Sequence, residues 1–411
     1  MRNHLTKALS ACLAVYATGA AAQAQQQVKP PIAVYWMSVE TAAGMGVAMP
    51  PGMGAMLPPG MAGGKRVRLD LGSAQSAAGE PQAQHAIPAG MGMGASLPLV
   101  TPVEQRVERA PERDDEPEYQ KPKGRVLIYW GCGEQVRPGQ PVVLDFATMN
   151  PQEAARVFRS VAVARGRAPA PGRNRTYGAW PNANSGQPVP AGASLLGEHV
   201  VSGNYSPEIR FPVGERDDFM APVAFDPVSK TPAGAFGVQW KAVPTATGYF
   251  ASAIGQGENR DDVVMWSSSE KQVMGQTLMD YLPPAEVERL VRDKVVLAPQ
   301  TTACAVPAGA FKGDGAMLQF IAYGDELNLV HPPRPKDPKQ VWEQQWAVKL
   351  RLKSTGMTLL AEGDTGARRG RAPAQRSEDS TQSAQPAQPQ PPSPADAVQE
   401  GVKALRGILR F

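Results

Sequence analysis

At 411 residues the chain is long enough for two or three domains, but 41 glycines and 41 prolines mean that part of it interrupts regular structure and builds no core. The formal net charge of +4 falls to +2 once Arg2 and Lys7 are set aside. No basic stripe with interleaved aromatics is present, so the composition argues against nucleic acid as a partner and against a strongly charged substrate.

Arg2 and Lys7 precede an uncharged, moderately apolar stretch from Ala8 to Ala22, and Ala22-Gln23-Ala24 offers the small residues that a signal peptidase reads. Residues 1–24 are therefore expected to be a signal peptide cleaved after Ala24, which delivers the mature chain to the periplasm or beyond, with outer-membrane association open. The stretch is too short to remain as a helix across roughly 30 Å of hydrocarbon. Leu9-Ser10-Ala11-Cys12 has the layout of a lipoprotein signal, but that reading leaves almost nothing apolar between Lys7 and Cys12.

Residues 25–124 form a strand-containing segment. Ile32 to Val39 is rich in β-branched and aromatic residues, and Val67 to Leu71 alternates apolar with charged, as strands do. Between them Gly44 to Gly64 is Gly, Met, Pro and Ala without charge, a loop by composition. Its Met45, Met49, Met53, Met56 and Met61, with Met91 and Met93 farther on, put soft thioethers in one segment, a candidate Cu(I) site. The competing reading is apolar filler in a low-complexity linker. From Gly72 to Lys123 little regular structure is expected.

In the segment 125–190, Val126 to Trp130 and Pro141 to Phe146 are strand-like runs flanking a Gly/Pro turn. Ile128-Tyr129-Trp130 repeats the pattern of Val34-Tyr35-Trp36, too short a match to establish a duplication. Pro151 to Ala164 reads as a short helix, and Gly166 to Pro190 as a connector.

Residues 191–358 hold many short strands at close spacing, the pattern of an antiparallel β-sandwich. They are Glu208 to Pro212, Ala221 to Phe225, Phe236 to Lys241, Tyr249 to Ile254, Val263 to Ser267, Val295 to Ala298, Met317 to Tyr323 and Trp346 to Leu352. Pro283 to Asp293 instead has helical spacing, with Val287, Leu290 and Val291 on one face. The stretch Trp240-Lys241-Ala242-Val243-Pro244-Thr245-Ala246-Thr247-Gly248-Tyr249 resembles the W-x-x-V-x-x-A-x-x-Y layout of fibronectin type III and related immunoglobulin-like domains. The resemblance covers about a dozen residues. It implies an immunoglobulin-like sandwich in which Trp240 and Tyr249 enter the core from two sheets, and it carries no catalytic site. The helix after Pro283 departs from that family's pattern. The fold class expected for the whole chain is mainly β, with immunoglobulin-like antiparallel sandwich modules, low-complexity linkers and a short C-terminal helix.

Residues 359–393 are poor in anything to bury and are expected to be a disordered linker. In residues 394–411, Val398, Val402, Leu405 and Leu409 make an apolar stripe beside Lys403, Arg406 and Arg410. That amphipathic helix is expected to dock on an envelope protein or a membrane surface.

Chemistry-bearing residues are sparse. Cys132 and Cys304 remain after signal cleavage, and an oxidising compartment makes them a disulfide candidate that would contribute roughly 4–5 kcal/mol. His85, His199 and His331 lie far apart without metal-ligand spacing. Ser267-Ser268-Ser269-Glu270 lacks the Gly-x-Ser-x-Gly elbow and an evident base. Asp217-Asp218 and Asp261-Asp262 are adjacent carboxylates, which point opposite ways on an extended chain and offer at most weak calcium binding. No catalytic residue and no cofactor is implied. The expected function is that of an exported cell-envelope binding or structural module, with a polysaccharide-acting enzyme or a Met-rich copper-binding protein as alternatives.

Overall fold

The structure is a computed structural model that describes residues 26–44, 63–102, 124–148, 152, 162–183, 185, 187–259, 261–311 and 316–361. Those residues are mainly β. Residues 1–24, expected to be a signal peptide, Met45 to Met61, and the tail with Val398, Val402, Leu405 and Leu409 lie outside them.

The strands in chain order are β1 (Val28–Lys29), β2 (Ala33–Ala42), β3 (Gly64–Ser73), β4 (Ala83–Ala86), β5 (Ser96–Leu99), β6 (Arg125–Trp130), β7 (Val142–Asp145), β8 (Thr176–Trp180) and β9 (Gly197–Gly203). They continue as β10 (Ser206–Val213), β11 (Ser229–Lys230), β12 (Phe236–Gln239), β13 (Gly248–Gln256), β14 (Val263–Ser267), β15 (Ala303–Val306), β16 (Ala316–His331), β17 (Trp342–Glu343) and β18 (Trp346–Leu360). An α-helix, α1 (Pro284–Arg292), begins with proline in its first turn, where a missing N–H costs nothing.

Nine strands form one sheet in the order β7-β6-β14-β13-β16-β18-β2-β3-β8. It draws on all three segments that the sequence separates at residues 124 and 190, so they share one core. The pairs β6/β14 and β18/β2 are parallel and the rest antiparallel, a departure from the purely antiparallel sheets expected. Each parallel pair joins an early strand to a much later one, a connection that no hairpin can make. The two Tyr-Trp patterns occupy matching places: β2 and β6 each run parallel to a later strand. Tyr35 and Tyr129 enter the main core, while Trp36 and Trp130 point to the opposite face.

Alternation dictates the two faces. In β18, Val348, Leu350 and Leu352 enter the main core, and Lys349, Arg351 and Lys353 take the other side. Over the core face lie a four-stranded sheet, β10-β9-β4-β5, and a three-stranded sheet, β11-β12-β15. Gly178 of β8 lets the four-stranded sheet approach: a Cβ there would lie 2.4 Å from Tyr205 Oη and 2.9 Å from the Leu99 carbonyl oxygen. Over the opposite face, α1 packs Val287 and Leu290 against Phe250, Ile321 and Tyr323. Trp240 and Tyr249 meet edge to face at 5.7 Å between ring centres, both buried in the main core.

Several elements differ from the sequence reading. Strands β4, β5 and β8 lie in stretches expected to be irregular. Ala221 to Phe225 and Val295 to Ala298 contribute isolated bridges, Phe225 with Trp240 and Leu297 with Tyr249, and no strand.

Candidate functional site

Beyond the edge of the α1 cluster the second face of the large sheet changes from apolar to charged. The register brings Trp36, Ser38 and Glu40 of β2 beside Lys349, Arg351 and Lys353 of β18 on one flank, and beside Asp70, Arg68 and Arg66 of β3 on the other. Most of these charges are matched. Arg68 donates to the Asp70 carboxylate at 3.1 Å, and Tyr177 Oη donates to the same group at 2.6 Å. Lys349 pairs with Glu326. Glu40 accepts from Thr355 Oγ1 at 2.7 Å and lies 3.6 Å from Arg66 and 3.9 Å from Lys353. Asp280 lies 3.9 Å from both Lys353 and Arg165.

Arg351 is the exception. Its guanidinium lies over Trp36 at 4.9 Å and over Tyr281 at 4.3 Å, so two aromatic rings contact it. Its Nε donates to Ser38 Oγ at 2.8 Å, and among the described residues no carboxylate lies within 4.0 Å of it. Lys353 Nζ sits 4.5 Å from the same Tyr281 ring, and Lys349 Nζ 5.5 Å from Trp36. Burial, followed by the nearby Glu40 charge, raises Tyr281 well above the ordinary phenol range, so it stays protonated. Arg165 and Gly166 close this corner from above: Arg165 donates to the Thr277 carbonyl, and a Cβ on Gly166 would meet Trp36 at 2.9 Å.

A second constellation lies in the core, where the four-stranded sheet meets β2. His85 of β4 and His199 of β9 are both 0 % exposed, and they form a chain of hydrogen bonds with Tyr35. Tyr35 Oη lies 2.9 Å from His85 Nδ1, His85 Nε2 lies 2.9 Å from His199 Nδ1, and His199 Nε2 lies 2.7 Å from the Leu195 carbonyl oxygen. The direction follows from chemistry. A carbonyl only accepts, so His199 carries its hydrogen on Nε2 and takes a bond at Nδ1. His85 must then donate from Nε2 and accept the Tyr35 hydroxyl proton at Nδ1. Both rings are neutral in this arrangement. Burial, with the neighbouring His199 as a smaller cause, lowers His85 to about 3. Burial likewise lowers His199, against the opposing pull of the Leu195 carbonyl and Glu198. Phe211 stacks on His199 at 5.2 Å, completing an aromatic wall.

The remaining candidates from the sequence are dispersed. Cys132 and Cys304 are joined by a disulfide with their Cα atoms 5.1 Å apart, which ties the turn after β6 to β15. Ser267, Ser268 and Ser269 are buried. Ser268 Oγ accepts the Ala251 N–H at 2.9 Å and Ser269 Oγ the Lys271 N–H at 3.0 Å. Asp218 accepts from Ser194 Oγ at 2.6 Å and from the Leu195 N–H at 2.8 Å. Asp262 is held by Arg125, which lowers it to about 2. Neither adjacent aspartate pair makes a shared carboxylate site, and among the described residues no group of three or more His, Cys, Asp or Glu has a geometry for a metal ion. Met91 and Met93 are core residues. His331 stacks on Trp346 at 5.1 Å, away from the other histidines.

Spacing in the sequence missed the His85–His199 pair, although one signal was present. His199 falls in phase with Val201 in the alternation of β9, which marks a core position.

No protein-family model matches the chain, and neither a curated protein nor a solved structure matches it. Among the described residues no helix is long and apolar enough to cross a membrane.

Proposed function

We propose that this chain is an exported cell-envelope protein that acts by binding, without catalysis, from the periplasm or the cell exterior after its signal peptide is removed behind Ala24. The observation that carries the reading is Arg351, a guanidinium in contact with two rings and with no carboxylate within 4.0 Å among the described residues. The chemistry elsewhere supports it as well. His85, His199, Ser268, Ser269, Asp218 and Asp262, among the residues that attract attention in the sequence, are engaged in internal hydrogen bonds or ion pairs, and the disulfide suits an oxidising compartment. The immunoglobulin-like reading of the stretch around Trp240 and Tyr249 belongs to the same proposal and is supported by their contact. So does the docking of the C-terminal stripe of Val398, Val402, Leu405 and Leu409 on an envelope protein or membrane surface.

The test places a photo-crosslinking residue at Asn328, exposed on the charged face, and in a second strain at Glu208, exposed on β10. In intact cells the first position gives a covalent adduct and the second does not. Equal adducts from both, or none from Asn328, would overturn the reading. Intact-mass measurement of the exported protein should give Gln25 as its first residue, and a chain that keeps Met1 would remove the export step.

A further inference from the structure

We propose that Arg351, with Lys353 beside it, is the receptor for an oxyanion, the carboxylate or phosphate group of a ligand reaching the charged face. The inference rests on the binding reading above and names its ligand class.

The other cations placed on this face by β3 and β18 each have a carboxylate within 4.0 Å: Arg66 with Glu40, Arg68 with Asp70, Lys349 with Glu326 and Lys353 with Glu40 and Asp280. Arg351 has none among the described residues, although the register sets Glu326 opposite it, because Glu326 is taken by Lys349. A partly buried charge without a counter-ion is unfavourable, and a bound anion relieves it. The surroundings decide which kind of anion. Trp36 and Tyr281 both lie against the guanidinium, and Ser38 takes Nε, which leaves the terminal amino groups without a partner among the described residues. A planar fork that offers two parallel N–H groups matches two oxygens of a carboxylate or phosphate better than a spherical ion such as chloride. Lys353, against the same Tyr281 ring, adds a second positive charge that is held only loosely, at 3.9 Å from each of its two carboxylates.

The experiment is calorimetric titration of the disulfide-bonded mature protein with inorganic phosphate, with D-glucuronate and with chloride, at matched ionic strength. Phosphate or glucuronate, or both, should bind saturably and chloride should not. Which one binds identifies the source of the oxyanion. Loss of one charge-assisted fork corresponds to about a tenfold or greater weakening, expected for Arg351→Gln. Arg351→Lys keeps the charge without the fork and should weaken binding by a smaller factor, and Lys353→Gln likewise. Near-UV circular dichroism checks that each variant keeps its aromatic packing, and if Arg351→Gln fails that check, Arg351→Lys carries the test. Absence of saturable binding by either oxyanion, or wild-type affinity in a folded Arg351→Gln or Arg351→Lys, would overturn the inference. The two proposals fail separately. An Asn328 adduct without oxyanion binding leaves the binding reading standing, whereas Arg351-dependent oxyanion binding without any adduct leaves only the ion site.

Discussion

Acidification should loosen the joint between the four-stranded sheet and β2, because the Tyr35–His85–His199 chain is neutral and buried, and an added proton would place a charge there. Every ring nitrogen is already used, and a proton added to either histidine would reverse at least one of the chain's hydrogen bonds and leave a charge in the core. His85 is lowered from the ordinary 6.5 to about 3. Unfolded chains therefore take up this proton as pH drops below 6.5, while the folded protein refuses it until about 3. The stability is thus fully present above 6.5 and is lost as pH falls through this window. At 1.36 kcal/mol per unit, His85 alone removes roughly 2 kcal/mol between about pH 7 and about pH 5, and roughly 3 kcal/mol by about pH 4. His199 is lowered too and acts in the same direction. Against a total stability of about 5–15 kcal/mol these are large losses. Urea unfolding at the three pH values, with the disulfide intact, measures them. The comparison protein is Tyr35→Phe/His85→Phe/His199→Phe, which replaces the whole polar chain by apolar rings and leaves only the Leu195 carbonyl without its partner. Its stability should be flatter between about pH 7 and about pH 5 by about the 2 kcal/mol assigned to His85. Equal losses in the two proteins would refute the reasoning and place the acid sensitivity outside these three residues.

Four further outcomes are expected. Trp240 is buried against Tyr249 and Phe320, so Trp240→Ala should cost about 3–5 kcal/mol in urea unfolding. Trp240→Phe should cost less than about 2 kcal/mol, because the indole N–H is buried without a hydrogen-bond partner and its removal offsets part of the lost packing. Reduction of the Cys132–Cys304 bridge, which spans 172 residues of chain, should lower stability by up to about 5 kcal/mol, measured with and without reductant. Gly178→Ala should destabilise by about 1–3 kcal/mol, since neither Tyr205 nor the Leu99 backbone can withdraw without parting the two sheets.

The strands that were legible in the sequence are those in which apolar and polar residues alternate, such as β3 and β18, and β2, which is buried over most of its length but rich in β-branched and aromatic residues. Strand β8 was not. All five of its residues are buried, so Thr-Tyr-Gly-Ala-Trp has no polar phase, and the Arg-rich text before it and Pro181 after it read as a connector. Strands β16 and β18 run longer than their apolar cores. The first continues past a register shift between Tyr323 and Glu326. The second passes through Gly356, where a Cβ would meet Phe225 at 2.9 Å. The cations Lys349, Arg351 and Lys353 already stood in one phase of an apolar strand. The arrival of Trp36 and Tyr281 from distant parts of the chain could not be read, because tertiary pairing alone brings them there.

The parallel pairing of β2 with β18 also bears on the order in which the protein can assemble. Ser38 and Arg351, hydrogen-bonded neighbours across that pair, are 313 residues apart in the chain. Contacts of such separation form late, after the entropy of closing a long loop has been met. A chain emerging N-terminus first leaves β2 with one bare edge until residues 346–360 follow. Bare edges recruit strange partners, so the emerging polypeptide needs shielding for almost the whole of its synthesis or passage. A cut anywhere between β2 and β18 likewise separates two strands from the interior of one sheet.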